Sequence, residues 1–262
     1  ARRGGAHDAR LLAVVSTKPN EAGRFFRLAT EADIRTVRNA ADELANRQRA
    51  ANDEASQVSL SLVPDEKISP NELRRISVPI YGMESWGDLF SPRQALSLGV
   101  LARLVRHACR EELDSDFANA VRVCLSLNFG RVADLSNALC GWKLDVQCPT
   151  HLFARQAIGM VWDFSESVCL SESSGSWSVM VDRLSSVLLD LGADWSIGNV
   201  SQTSATAQAL PDDSVMAIVT DPPYYDAVPY AYLSDFFYVW LRRMLRDSLP
   251  DLFRDGVVPK EA

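Results

Sequence analysis

The sequence predicts an α/β fold, and three observations along the chain indicate it. Residues after about 174 alternate helical and strand-like patterns, with a helix over 174–192, a buried strand over Val215–Thr220 and a helix over 231–249. Apolar residues at helical spacing fill most of the region 91–192. A strand pair and one helix are expected within residues 1–52. We therefore expect a partial sheet, a large helical subdomain and a small N-terminal β/α segment.

The N-terminal segment begins with two apolar runs separated by a proline turn. Leu11–Val15 is predicted as a buried strand and Arg24–Leu28 as its partner. Thr30 followed by Asp33 is a capping pattern that opens a helix reaching about Ala51. The apolar stripe of this helix is thin, so the helix needs a surface on which to dock.

The middle of the chain divides into an irregular part and a helical part. Residues 53–90 contain prolines and acidic residues and are predicted as a linker between domains. Ser91-Pro92 is a helix start, and the helix it opens is expected to reach about Leu113. A second helix is expected from Ser115 to at least Leu127. A hairpin that packs the core is the simpler interpretation of this helix pair, and a ligand-facing lid is the alternative.

The last part, residues 193–262, carries the remaining strands and the final helix. A short strand is expected at Ile197–Val200, before the buried strand that ends at Thr220. In the final helix an apolar set at helical spacing is predicted as core, and its arginines are expected on the exposed side. The core set is Phe236, Phe237, Val239, Trp240, Leu241 and Met244, and the arginines are Arg242, Arg243 and Arg246.

Composition excludes some classes of function. The 262 residues are 47% hydrophobic and 23% charged, as in ordinary globular proteins, and no apolar run reaches membrane-spanning length. A cytoplasmic location without membrane contact is the default expectation. The net charge of −7 argues against a simple wrapper of nucleic acid. Residues 1–110 nevertheless hold 17 basic against 13 acidic side chains, so phosphate contacts are expected in the first half.

The cysteines do not indicate a disulfide framework. There are five, an odd number, and no Cys-x-x-Cys pair occurs. Cys148 and His151 have a spacing that metal ligands use, but a zinc site would need further ligands. Ordinary buried or surface thiols are the favoured interpretation, and no metal is expected.

The most informative motif is Asp221-Pro222-Pro223-Tyr224, which directly follows the predicted strand. Two prolines cannot continue a β-ladder, so the chain must leave the sheet in a rigid turn. This turn presents a carboxylate, a carbonyl and an aromatic ring, a set that suits a flat nitrogen base with an exocyclic amine. Asp221 and the Pro222 carbonyl accept the two amine hydrogens, and Tyr224 stacks on the base.

These four residues resemble the catalytic motif of amino-methyltransferases that methylate adenine N6 or cytosine N4 in DNA. The segments around them narrow the resemblance to the DUF1156-type adenine-specific DNA methylases. The segments that carry it are 209–215, 225–230 and 233–241, and upstream Tyr81–Met83, Asp88–Gln94, Phe153–Ala157 and Val161–Phe164.

The resemblance implies a Rossmann-like methyltransferase sheet, S-adenosylmethionine as cofactor and DNA as partner. It also implies that Tyr225, Asp226 and Tyr230 line the pocket for the target base. Packing of Tyr230 beneath the turn is the structural alternative. Residues 193–262 then form part of the catalytic domain.

The chain departs from the family pattern at two places. The glycine-rich cofactor turn of the Asp-Pro-Phe-x-Gly-Gly-Gly kind is missing, because Asn128–Arg131 and Ser174–Trp177 each contain a single glycine. The zinc ribbon is missing as well. We therefore expect the middle portion of a longer methylase, or one product of a split gene, whose remaining segments or second subunit complete the enzyme.

Two alternatives stay open at this point. Similar turns serve RNA and guanine-amine methyltransferases, so the substrate class is not fixed by the motif. A non-catalytic nucleic-acid-binding or assembly subunit would explain the missing cofactor turn.

Overall fold

The fold is a helical assembly with two small antiparallel sheets. The computed structural model describes residues 5–18, 20–53, 60–112, 114–191, 196, 198–201, 203–204, 206–207, 210–223, 225 and 227–260 of the chain. The mixed helix and strand character that the sequence predicts is confirmed. Among these residues the sheets are two-stranded, and no Rossmann-like sheet forms.

The N-terminal hairpin is present but lies on the surface. Strand β1 (Ala13–Lys18) pairs antiparallel with β2 (Glu21–Leu28), with Val15 opposite Phe26. Leu12 and Leu28 are 70% and 81% exposed, so the prediction of a buried strand is wrong. A two-stranded ribbon covers neither of its own faces, and no further strand joins it among the described residues.

Helix α1 (Glu31–Asp53) confirms the predicted helix and its start. The Thr30 N–H donates to Asp33 Oδ2 at 2.8 Å, and the Asp33 N–H donates to Thr30 Oγ1 at 3.4 Å. Asp33 therefore completes the reciprocal capping box, although Glu is more usual at that position. Leu44 enters the main core, so this helix has the docking surface that its thin stripe needs.

The segment expected as a linker is instead part of the core. Its described residues, 60–90, are irregular apart from three short 3₁₀ turns, as predicted. Seven of its apolar side chains are at most 5% exposed, however, so it does not separate two cores. The buried members are Ile68, Ile76, Val78, Met83, Trp86, Leu89 and Phe90.

Helices α2 (Pro92–Arg106) and α3 (Ser115–Leu135) pack into this core. The Ser91 side chain caps α2, and Gln94 returns the hydrogen bond to the Ser91 N–H at 2.9 Å. Helix α2 ends about two turns earlier than predicted, where the chain turns through Cys109 at a φ of 56°. Packing into the core is the interpretation that the structure supports for this pair.

Helix α4 and a short hairpin lie beyond α3. Strands β3 (Trp142–Lys143) and β4 (Cys148–Pro149) pair antiparallel. Helix α4 (Trp177–Asp190) lies within the predicted range 174–192 and is capped by Ser176. Its second half does not enter the core, since Val187, Leu188 and Leu191 are about half exposed. The predicted end at Gly192 lies outside the described residues.

The last helical region forms the centre of the core. It consists of α5 (Tyr230–Leu233) and α6 (Asp235–Leu245), which the sequence predicts as one helix. Phe236 stacks on Phe90 with ring centroids 6.0 Å apart, and Trp240 lies 5.2 Å from Phe129. Both side chains are at most 1% exposed, and truncating such an aromatic typically costs about 3–5 kcal/mol. The predicted core positions of this helix are confirmed.

The arginines of α6 are not on an exposed side, contrary to the prediction. The side chain of Arg243 is 6% exposed and donates to Glu66 Oε1 at 2.8 Å and to the Ser61 carbonyl at 2.9 Å. Arg242 is 3.5 Å from the same Glu66 and is also largely buried. Helix α6 is surrounded because residues 60–66 cross its polar side, which helical periodicity alone does not reveal.

Replacing Arg243 by Ala should lower the free energy of unfolding by about 3 kcal/mol, because it leaves the buried Glu66 carboxylate without its closest cation. Arg254→Ala is the matched control, since Arg254 pairs with Asp251 where both side chains are over three-quarters exposed. We expect a loss below about 1 kcal/mol there. Urea denaturation measures both, and equal losses would contradict the structural role of Arg243.

Candidate functional site

The Asp-Pro-Pro turn lies in an exposed, irregular segment. Residues 215–223 have no regular secondary structure, and Ile218 and Val219 are 79% and 96% exposed. The buried strand predicted over Val215–Thr220 is therefore wrong for this chain. The predicted strand at Ile197–Val200 does not form over 198–200, and Ile197 lies outside the described residues.

The physical reason is a lack of partners. A buried strand needs backbone hydrogen bonds from neighbouring strands and cover on both faces. The described residues form strands only in the N-terminal hairpin and in the hairpin after α3, and neither pairs with this segment. An apolar run can indicate a strand, but it cannot supply the strands beside it.

Asp221, Pro222 and Pro223 are all exposed, and the Asp221 carboxylate makes no described hydrogen bond or ion pair. The Tyr225 N–H donates to the Pro223 carbonyl at 3.0 Å, and Tyr225 has a φ of 46°. A tight turn thus follows the two prolines, as the sequence predicts. Tyr224 and Asp226 lie outside the described residues.

Directly after the turn the chain is held against the core. The Arg75 guanidinium donates to the Ala227 carbonyl at 2.9 Å, and Val228 packs on the main core. The Tyr230 N–H donates to the Val228 carbonyl, and α5 begins at that tyrosine. The turn is consequently tethered at its C-terminal side, while its N-terminal side has no described contact of this kind.

Tyr230 and Tyr225 remain accessible. Their exposed fractions are 53% and 98%, so both rings are open to a ligand. Tyr230 does not pack beneath the turn as the structural alternative requires. The structure does not bring Tyr225 and Tyr230 together with Asp221 around a closed pocket among the described residues.

A buried carboxylate lies one helical turn after Tyr230. Asp235 accepts hydrogen bonds from Lys260 Nζ at 2.7 Å and from the Val258 N–H at 2.9 Å. Burial raises the pKa of Asp235, and the Lys260 ammonium opposes that rise. Both partners are residues that follow α6, so this carboxylate ties the chain after α6 to the region after the turn and does not face a ligand.

His151 has a structural partner in place of a metal. Its Nδ1 lies 2.8 Å from Asp134 Oδ2, and the other Asp134 oxygen accepts from the Phe153 N–H at 3.0 Å. Burial raises the pKa of the nearby Cys140 thiol to about 12, so Cys140 remains protonated. Sequence spacing suggested a partner for His151 in Cys148, whereas the fold supplies Asp134 from α3.

The glycines of this chain do not build a cofactor cradle among the described residues. A Cβ at Gly87 would clash with the Pro64 carbonyl, and one at Gly99 would lie 2.9 Å from Leu62. These glycines admit the crossing segment 60–66 and not a nucleotide. No glycine-rich turn follows a paired strand, which is the usual site for an adenosine-containing cofactor.

No family model, no curated protein and no solved structure matches the chain. The function must therefore be argued from the residues themselves. Within the part of the chain that the structure describes, no helix combines the length and apolar character needed to cross a bilayer.

Hydrogen exchange should separate the turn segment from the helix that follows it. We expect the amides of residues 215–221 to exchange nearly as fast as in an unfolded peptide, because they lack ladder hydrogen bonds. The amides of α6 should be protected by several orders of magnitude. Mass spectrometry of deuterated peptides measures both, and strong protection over 215–221 would show that the segment is paired after all.

Proposed function

We propose that this chain carries the amine-binding turn of a DNA amino-methyltransferase that uses S-adenosylmethionine, with adenine N6 as the favoured acceptor. The observation that carries the proposal is the Asp221-Pro222-Pro223 turn, whose carboxylate is solvent-exposed and has no described partner. Its resemblance to the motif of DUF1156-type adenine-specific DNA methylases supplies the reaction class. A cytoplasmic location follows from that function.

The chemistry required of these residues is modest. An exocyclic amine is a poor nucleophile because its lone pair is delocalised into the ring. Hydrogen bonds from the amine to Asp221 and to the Pro222 carbonyl draw that lone pair out of the ring and aim the nitrogen. The target base has to be rotated out of the duplex to reach them, and Tyr224 and Tyr230 are the rings proposed to receive it. Tyr225 and Asp226 complete the proposed pocket.

The exposed position of the turn supports this role. A carboxylate that capped a helix or paired with an arginine would have its acceptor sites filled, whereas those of Asp221 are open. The tether at Ala227 keeps the turn close to the core without covering it. Those are the properties that a turn receiving a bulky base requires.

The methyl donor does not fit the described residues, and we derive no step through it. We propose that residues outside this chain or outside its described part hold the donor. They would also provide the strands beside Val215–Thr220 and so complete a Rossmann-like sheet. An exposed apolar segment that ends in the motif is consistent with that arrangement.

A second candidate function is a nucleic-acid-binding or assembly subunit without catalysis of its own. The absence of a glycine-rich cofactor turn from the sequence favours it. An RNA or guanine-amine methyltransferase would use the same turn on a different base.

Asp221→Asn should reduce methyl transfer by about 10²–10³-fold in the full-length protein, because it removes the negative acceptor from the amine. Transfer from labelled S-adenosylmethionine to DNA is measured, and the modified nucleoside is identified after digestion. Asp212→Asn is the matched control, since Asp212 is equally exposed and precedes the motif by nine residues. Unchanged transfer in Asp221→Asn removes the turn from the mechanism.

Calorimetry with S-adenosylmethionine tests the division of roles. We expect no saturable heat from this 262-residue chain, since its described residues form no cradle for the cofactor. Tight binding by the isolated chain would contradict that inference and would place the donor site within it.

A further inference from the structure

Two adjoining cavities open between the C-terminal halves of α1 and α2. They measure about 360 and 430 Å³ and share Arg47, Arg103 and His107 in their walls. Among the side chains that the structure describes, neither cavity has an Asp or a Glu in its lining. The charged lining consists of Arg47, Arg103, Arg106, Arg110, Arg243 and His107.

Only some of these arginines are neutralised within the protein. Arg47 pairs with Glu43 at 2.6 Å, and Arg106 pairs with Asp247 through two hydrogen bonds of 2.6 and 2.9 Å. Arg243 is held by the buried network with Glu66. For Arg103 and Arg110 no carboxylate lies within ion-pair distance among the described residues.

His107 reports the resulting electrostatic field. Burial lowers its pKa, and the charges of Arg110, Arg106 and Arg103 lower it further, against a weaker opposing effect of Asp247. The ring Nδ1 lies 2.9 Å from the Arg103 carbonyl, so the neutral ring donates there. A proton on the second ring nitrogen is therefore disfavoured by three neighbouring cations.

The position of α2 explains only part of this cluster. Cations near a helix C-terminus are stabilised by the helix dipole, which is equivalent to about half a negative charge. Arg103 and Arg106 occupy the last turn of α2 and benefit from it. The half negative charge at the C-terminus of α2 cannot balance the two positive charges of Arg103 and Arg110. The cavities therefore keep a positive potential around His107.

We propose that these two cavities bind successive phosphate groups of a nucleic-acid backbone. Guanidinium groups bind phosphate oxygens in pairs of hydrogen bonds, and such contacts fix a nucleic acid in place without reading its sequence. The apolar part of the lining, which includes Leu60, Leu62 and Leu104, can pack against sugars.

The lining also decides between a backbone and a free nucleotide. Its described side chains include no aromatic ring on which a base could stack, and no Asp, Asn or Gln to hydrogen-bond a base edge. The two cavities share Arg47 and Arg103. This arrangement suits the regularly spaced phosphates of a nucleic-acid backbone better than a single compact ligand. The inference goes beyond methyl transfer and holds whether or not the turn at Asp221 is catalytic.

The test measures DNA binding by the full-length protein. Binding is monitored through the fluorescence anisotropy of a short fluorescein-labelled duplex at several salt concentrations. Arg103→Gln with Arg110→Gln should weaken binding about tenfold or more. The slope of log affinity against log salt should fall in magnitude by about 2, since each lost phosphate contact contributes about 0.9.

Arg35→Gln with Arg38→Gln is the matched control. Both arginines are exposed on α1 and have no described ion pair, and the net charge changes by the same amount. They precede Arg47 by nine or more residues, which is about 13 Å or more along the helix. This control should change affinity less than about twofold, and equal weakening by both pairs would overturn the proposal.

Competition identifies the ligand. Unlabelled duplex or single-stranded nucleic acid should displace the probe, whereas inorganic phosphate and ATP at the same phosphate concentration should not. Displacement by ATP or phosphate as effective as by DNA would overturn the backbone assignment. The binding assay requires no methyl transfer, so failure of the methyl-transfer proposal remains distinguishable from failure of this one.

NMR titration of the His107 ring gives a readout independent of activity. A bound duplex brings negative charge beside the ring and should raise the pKa of His107. Absence of any shift in His107 when DNA is saturating would contradict binding at these cavities.

Discussion

Burial of the aromatic face of α6 is the constraint on which the other elements of this fold depend. Phe236 and Trp240 contact rings from three other parts of the chain, namely Phe90, Phe129 and Phe153. None of these parts could form a core alone. Because the rings are almost fully buried, displacing α6 would expose the segment before α2, helix α3 and the segment after β4 at once.

The polar side of the same helix is equally constrained. Arg243 and Arg242 converge on Glu66, so residues 60–66 must cross α6 at one position. Gly87 and Gly99 leave the space that this crossing needs. A buried ion pair of this kind adds little net stability compared with an apolar contact, but it admits few alternative arrangements. We interpret it as a device that fixes the crossing segment.

Local sequence patterns predicted the helices well. They predicted burial and strand pairing poorly, because both depend on distant parts of the chain. Ser91, Ser176 and the Thr30–Asp33 pair each act within four residues, so their caps can be recognised without knowing the fold. The burial of Ile76 or Arg243 depends on residues tens to more than a hundred positions away. The prediction of a strand at Val215–Thr220 was wrong for the same reason, since an apolar run does not specify the strands that would pair with it. At the candidate site the sequence identified the turn, but it gave no sign of the arginine-lined cavities, because Arg47 on α1 and Arg103 on α2 are over fifty positions apart.

The two proposed binding surfaces, the Asp221 turn and the arginine-lined cavities between α1 and α2, differ in the charge of the group that each can bind. Residues 111–262, which include the Asp221 turn, hold 10 basic against 21 acidic side chains. A carboxylate there suits the uncharged amine of a base. The unpaired Arg103 and Arg110 belong to the basic first half and suit the backbone. The two proposals together assign attachment of the backbone to the cavities at α1 and α2, and selection of the base to the turn.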